Sequence, residues 1–165
     1  MKDDLNRIKQ VLDEFNVSIE DVTAFVLGGH GDTMVPLPRY TTVGGIPVTE
    51  FLDDATIDRI VQRTKKGGGE IVNLLGTSGW YAPGASAAQM VEAILKDSKR
   101  IFPVCTHLTG QYGVDDLFLG APVKLGRNGI EEVIELKLND EELALMHGSA
   151  TAVREVVDTL KAMGI

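Results

Sequence analysis

The chain has 165 residues and a mass of 17.8 kDa. One domain of that size hides about 70% of the surface its unfolded chain exposes, so no disulfide or metal staple is needed. Hydrophobic residues at 44%, charged residues at 24% and a mean hydropathy of +0.04 exclude a disordered tail, a collagen-like fibre and a membrane-spanning protein. No apolar run approaches the roughly 20 residues that a spanning helix needs. A net charge of −8 argues against nucleic-acid partners, while leaving room for a local cationic pocket. The lone Cys105 and the polar start MKDDLNRIKQ, which lacks a leader's apolar core, predict a reducing, cytoplasmic setting.

In chain order, Leu5, Ile8, Val11, Leu12 and Phe15 form an apolar stripe at helical spacing over residues 4–15. VTAFVLGG (22–29) reads as one buried strand, and MVPLPRYTTVGGIPV (34–48) as an extended segment that its prolines confine to an edge or an irregular path. A helical pattern over 56–75 is interrupted by Gly67-Gly68-Gly69, and an alanine-rich helix over 85–96 follows Pro83. IFPVCTHL, LFLGAPVKLG and EEVIELKLN read as three strands, the last two joined by GRNG, where Asn and Gly tolerate positive φ. A final helix, capped by Asn139 or Asp140, runs to about Met163. Clustered strands joined by short turns predict an α+β fold, a mainly antiparallel sheet packed with long helices. A single domain over 1–165 follows.

Chemistry concentrates in Gly28-Gly29-His30-Gly31-Asp32-Thr33. An imidazole at a strand end titrates near neutrality, and bare glycines let a flat ligand approach the backbone. The same residues also suit a plain polar turn with Asp32 and Thr33 capping backbone groups. Cys105 and His107 share one strand face, and with no second cysteine the expectation is packing rather than zinc. His147 reads as a surface or boundary residue. The Gly67–Gly69 run lacks the strand before it and the Gly-Lys-Ser/Thr after it that a phosphate loop requires, so packing or a hinge is expected. Trp80 and Tyr81 are expected in the core or at an interface. No G-x-G-x-x-G joins a strand to a helix.

GGHGDTMVP resembles the catalytic-histidine turn of the lactate/malate dehydrogenase family, in its branch of lactate-dehydrogenase-like malate dehydrogenases. The likeness continues through RYTTVGGIPV, GGGEIVNLL, WYAPGASAAQMVEAIL and GQYGVDDLFLGAPVKLGRNGIEEVIELKL, covering roughly residues 15–163. The resemblance implies an NAD-dependent oxidoreductase of the tricarboxylic acid cycle and a homo-oligomer. It further implies that this chain corresponds to the C-terminal substrate domain. The Rossmann half that holds NAD would be the missing partner, and no tight NAD binding or catalysis is expected from this chain alone. His30 takes the proton-acceptor position, Gly28, Gly29 and Gly31 lie beside the cofactor, and Ser78 and Gly79 line the substrate pocket. No metal is implied.

The family also pairs its histidine with an aspartate in an L-D-x-x-R pattern whose arginine grips the substrate carboxylate. Counting back from Phe15-Asn16-Val17-Ser18 gives Asp3 with Asn6. A one-residue shift gives Asp4 with Arg7, restores D-x-x-R and is preferred. The two registers differ by about 100° of helix rotation. Residues 1–14 depart from the family pattern, and a rewritten helix with neither pair functional is the other reading. Three functions follow: the malate/oxaloacetate half of a dehydrogenase, a non-catalytic oligomerising scaffold, and a small dicarboxylate-binding module.

Overall fold

The computed structural model describes residues 17–164. The proposed helix over 4–15, with Asp3, Asp4 and Arg7, lies outside the described residues. The expected α+β architecture is present. A long hairpin pairs β6 (Arg100–Thr109) with β7 (Asp115–Gly126), and β8 (Gly129–Val133) adds to β7, all antiparallel. The described residues form three α-helices: α1 (Asp54–Leu75), beside the segment over residues 22–48, and α2 (Tyr81–Leu95) and α3 (Asp140–Ala162), which both contact β7. Among the described residues no helix is long and apolar enough to cross a membrane.

Alternation along β6 and β7 explains the layering. Thr106 and Leu108 point inward opposite Leu119 and Leu117, and they meet Met146 and Ala150 of α3 in the main core. A smaller core of Ala93, Phe102 and Leu125 seats α2 on the other end of the sheet. The opposite face carries Cys105 and His107, which are exposed rather than packed as expected. His107 Nε2 lies 3.0 Å from Asp116 Oδ1 and its ring leans on Phe118, so exposure is compatible with local partners.

Two sequence expectations need revision, and a third holds. VTAFVLGG is not one strand: β1 (Val22–Thr23) pairs with β4 (Thr42–Val43), β2 (Val26–Leu27) pairs with β3 (Val35–Pro36), and Gly28 bridges to Gly120 of β7. Each short piece thus has a different partner, and apolarity alone carries no record of that. The 34–48 segment resolves into β3, a 3-10 turn at Pro38–Tyr40, β4 and β5 (Ile46–Pro47), as its prolines suggested. β8 stops at Val133, short of the strand expected through Asn139: Ile134 N–H still reaches Pro122 O of β7 at 2.8 Å, and beyond it the Tyr112 hydroxyl accepts from Leu136 N–H at 3.0 Å and donates to Ile134 O at 3.3 Å.

Two helices also differ from their patterns. α1 runs unbroken through Gly67–Gly69, anchored by Asp53, whose carboxylate accepts from Thr56 N–H at 2.8 Å. Gly67 is buried, in keeping with packing, but a Cβ on Gly68 or Gly69 would meet nothing within 4 Å. α2 begins at Tyr81, so Pro83 falls in its first turn, where a missing N–H costs nothing. The GRNG hairpin forms, with Gly129 alone of the four at positive φ (84°) and a register shift beside it, the geometry of a bulged turn.

Candidate active site

His30 sits at an exposed apex just beyond β2. The backbone leading to it is held on two sides. Gly28 N–H donates to Gly120 O at 3.0 Å, and Gly120 N–H donates to Gly28 O at 2.7 Å. Gly29 N–H donates to Ser149 Oγ of α3 at 2.7 Å. Beyond the histidine, Met34 N–H closes the turn onto Gly31 O at 3.0 Å, and Met34 and Val35 are buried. Among the described residues the turn is therefore fixed by backbone bonds and Ser149, not by capping from Asp32 or Thr33.

Glycine is required at this turn for a steric reason. Gly28 has φ of +82°, and a Cβ there would lie 2.6 Å from Ser149 Oγ. Gly120 is constrained from the other side, since its Cβ would lie 2.9 Å from Gly28 O. The pair lets β2, β7 and α3 converge at one point, with His30 exposed beyond it.

Ser149 was not singled out by the sequence, although it is 1% exposed and touches the turn directly. The signal available was its spacing: Glu142, Met146, Ser149 and Val153 fall on one face of α3. A polar residue amid that apolar stripe asks for a buried partner. α3 is anchored a second time at its N-terminus. Asn139 and Glu142 form a reciprocal cap, with Glu142 N–H to Asn139 Oδ1 at 2.8 Å and Asn139 N–H to Glu142 Oε2 at 2.9 Å. Arg39 from the 3-10 turn after β3 adds a two-pronged bond, Nε to Oε1 at 2.8 Å and Nη2 to Oε2 at 2.7 Å. That guanidinium, helped by the Asn139 N–H, holds the Glu142 carboxyl below its ordinary range against the opposing effect of burial.

Ser78 and Gly79 lie in the loop entering α2. Their bonds are local: Trp80 N–H to Ser78 O at 3.1 Å and Ala82 N–H to Gly79 O at 3.3 Å. Among the described residues no hydrogen bond ties this loop to the His30 turn. Trp80 and Tyr81 are 70% and 88% exposed, so neither packs in this chain's core. His147 is a boundary residue as expected, with Nε2 2.8 Å from Tyr112 O. It lines an open groove of about 430 Å³ with Arg154 and Asp158, and His30 does not border that groove. No group of three histidine, cysteine or acidic side chains among the described residues is placed to hold a metal.

The profile of the lactate/malate dehydrogenase, alpha/beta C-terminal domain family matches residues 2–163. Malate dehydrogenase of Cytophaga hutchinsonii is 61% identical over 151 residues, 92% of this chain and 48% of that protein. Malate dehydrogenase of Salinibacter ruber is 60% identical over 153 residues, 93% of this chain and 49% of its own. A solved structure of the Salinibacter ruber enzyme superposes with a TM-score of 0.93 at 57% identity, covering 98% of this chain and 53% of that one. Lactate dehydrogenase from Eimeria maxima, solved with NADH and oxamate, gives a TM-score of 0.92 at 43% identity, covering 98% and 52%. The chain spans about half the length of the curated relatives it matches.

Proposed function

This chain belongs to the lactate/malate dehydrogenase family through its alpha/beta C-terminal domain, and from that premise we propose that it is the substrate half of an NAD-dependent malate dehydrogenase. The observation that carries the reading is the His30 turn: an exposed imidazole on a bare-glycine backbone pinned by Gly120 and Ser149. Bare backbone suits the cofactor, because the space where a Gly31 side chain would stand is open and a flat ring can approach there. NAD, when bound, supplies the hydride acceptor. The dinucleotide itself would be held by the N-terminal half, with Gly28, Gly29 and Gly31 bordering only its reactive end.

His30 takes the proton from the C2 hydroxyl of malate and returns it to oxaloacetate in the reverse direction. Asp4, or Asp3 in the other register, steadies the imidazolium, and Arg7 clamps the substrate carboxylate bidentately. Ser78 and Gly79 border the pocket. Hydride transfer needs the reacting atoms about 3–3.5 Å apart, an arrangement that one half alone does not supply. The isolated chain is thus inactive. It also self-associates: Leu74, Leu75, Trp80, Tyr81 and Leu95 form exposed apolar surface around α1 and α2, and the open Gly68 and Gly69 admit close helix approach.

The test is a malate-oxidation assay on the isolated chain and on the chain fused behind the N-terminal half of the Salinibacter ruber enzyme. Turnover is expected only in the fusion. NAD reduction by the isolated chain would refute the half-enzyme reading, and a silent fusion would refute the enzymatic one in favour of a scaffold.

A further inference from the structure

The two glycines before His30 clear its surroundings, and they also remove every side-chain restraint from the backbone that carries it. Glycine has more conformational freedom than any other residue, so an unsupported Gly-Gly-His segment would leave the imidazole free to swing. β7 holds both backbone groups of Gly28, and through Gly120 N–H to Gly28 O at 2.7 Å it grips the carbonyl edge of the Gly28–Gly29 peptide. The other edge of that peptide is the step that leads on to His30. Among the described residues its N–H has one partner, Ser149 Oγ, at 2.7 Å.

We propose that Ser149 is a positioning residue for His30, locking the Gly28–Gly29 peptide from α3 so that the imidazole is presented in one orientation. The proposal rests on the reading of His30 as the proton acceptor. Three features support it. The hydroxyl is 1% exposed, so water does not compete for the Gly29 N–H. It occupies the space that a side chain on Gly28 would claim, 2.6 Å from that Cβ position, so serine and glycine fit as a pair. And α3 is itself held in place by the Arg39–Glu142 bond from the segment just beyond the histidine turn. Both flanks of His30 are thereby referred to one rigid helix. Ser149 touches no reacting atom; it acts through the backbone, and misplacement of a catalytic group by about 1 Å is enough to cost roughly 10²-fold.

The experiment compares Ser149→Ala, Ser149→Cys and the same-helix control Thr151→Ala in the fusion enzyme, with amide hydrogen exchange read at Gly29 and at Leu119. In Ser149→Ala, kcat is expected to fall roughly 10- to 100-fold with KM little changed. Exchange at Gly29 should quicken by roughly tenfold, the scale of one net hydrogen bond, while Leu119 keeps its protection. Ser149→Cys, a weaker acceptor of similar size, should fall between, and Thr151→Ala should match the parent. A merely structural role would instead lower the active fraction and loosen Leu119 together with Gly29. Unchanged kcat in a folded Ser149→Ala fusion, or equal loss at Leu119 and Gly29, overturns the proposal. If Ser149→Ala does not fold, Ser149→Cys decides on the same two readings. A parent fusion without turnover defeats the functional reading, and the proposal with it, before any variant is compared.

Discussion

The His30 turn and the Ser78–Tyr81 corner are both glycine-containing, exposed and placed near substrate by family resemblance, yet they are built differently. Every backbone group from Gly28 N to Gly29 N is bonded to another element, β7 or α3. Among the described residues the corner's hydrogen bonds stay within itself and the first turn of α2, and Trp80 and Tyr81 are left open. A site whose function is geometry, such as a general base, needs its rigidity from the domain that carries it. Exposed aromatic surface has the opposite meaning: it is area still to be covered. The backbone of the first region is held by this chain's own elements, whereas the second presents uncovered aromatic surface.

The sharpest way to break that contrast is His30→Asn in the fusion enzyme. Loss of a positioned base is expected to lower kcat by about 10²–10⁴-fold with no change in melting temperature, because the side chain is exposed. Near-parental turnover, read spectrophotometrically, would remove His30 from the mechanism.

Gly28→Ala tests the scaffold rather than the chemistry. A Cβ at φ +82° against Ser149 Oγ should cost about 1–3 kcal/mol in urea unfolding. An unaffected midpoint would mean that the convergence of β2, β7 and α3 is looser than the contacts indicate.

A smaller effect is expected at the second anchor of α3. Glu142 has a depressed carboxyl pKa, so its contribution is full above the ordinary value near 4.5 and disappears as pH falls through the lower folded value. Glu142→Gln should lower stability at neutral pH by about 1–2 kcal/mol, and the gap from the parent should shrink as pH falls below the ordinary value of 4.5. A pH-independent gap in denaturation curves would show that the charge is not what matters.

The smallest stability effect belongs to the corner. Trp80→Ser and Tyr81→Ser should change unfolding free energy by no more than about 0.5 kcal/mol, as surface substitutions do. The same changes should shift the chain's mass in light scattering from a dimer or higher oligomer toward monomer. A strict monomer before substitution would defeat self-association, and a large stability loss would mean that the aromatics serve this domain's own packing.

Much of this was legible in the sequence, for definite reasons. Long-period signals survive tertiary context: the apolar face of α3, the alternation in β6 and β7, the Asn139 cap and the GRNG turn are local in cause. The Gly-His-Gly segment suited a catalytic turn and a plain polar turn alike, and it was the family resemblance that singled out His30. Asp4 and Arg7 are a contrast, since a helix register cannot be read from a segment that departs from its family's pattern.

The tertiary structure alone decided how 22–29 divides, because β1, β2 and Gly28 find partners at Val43, Val35 and Gly120, far along the chain and invisible to periodicity. It also exposed Cys105 and His107, by leaving one face of the hairpin uncovered, and it brought the Tyr112 hydroxyl to Leu136 N–H just beyond β8. Ser149 belongs with these. In sequence it is one small polar residue in a C-terminal helix, 120 positions from Gly29, and only folding brings its hydroxyl to the Gly29 N–H. Composition and periodicity fix which faces are buried; which polar atoms meet across those faces is settled by packing at hydrogen-bond distance.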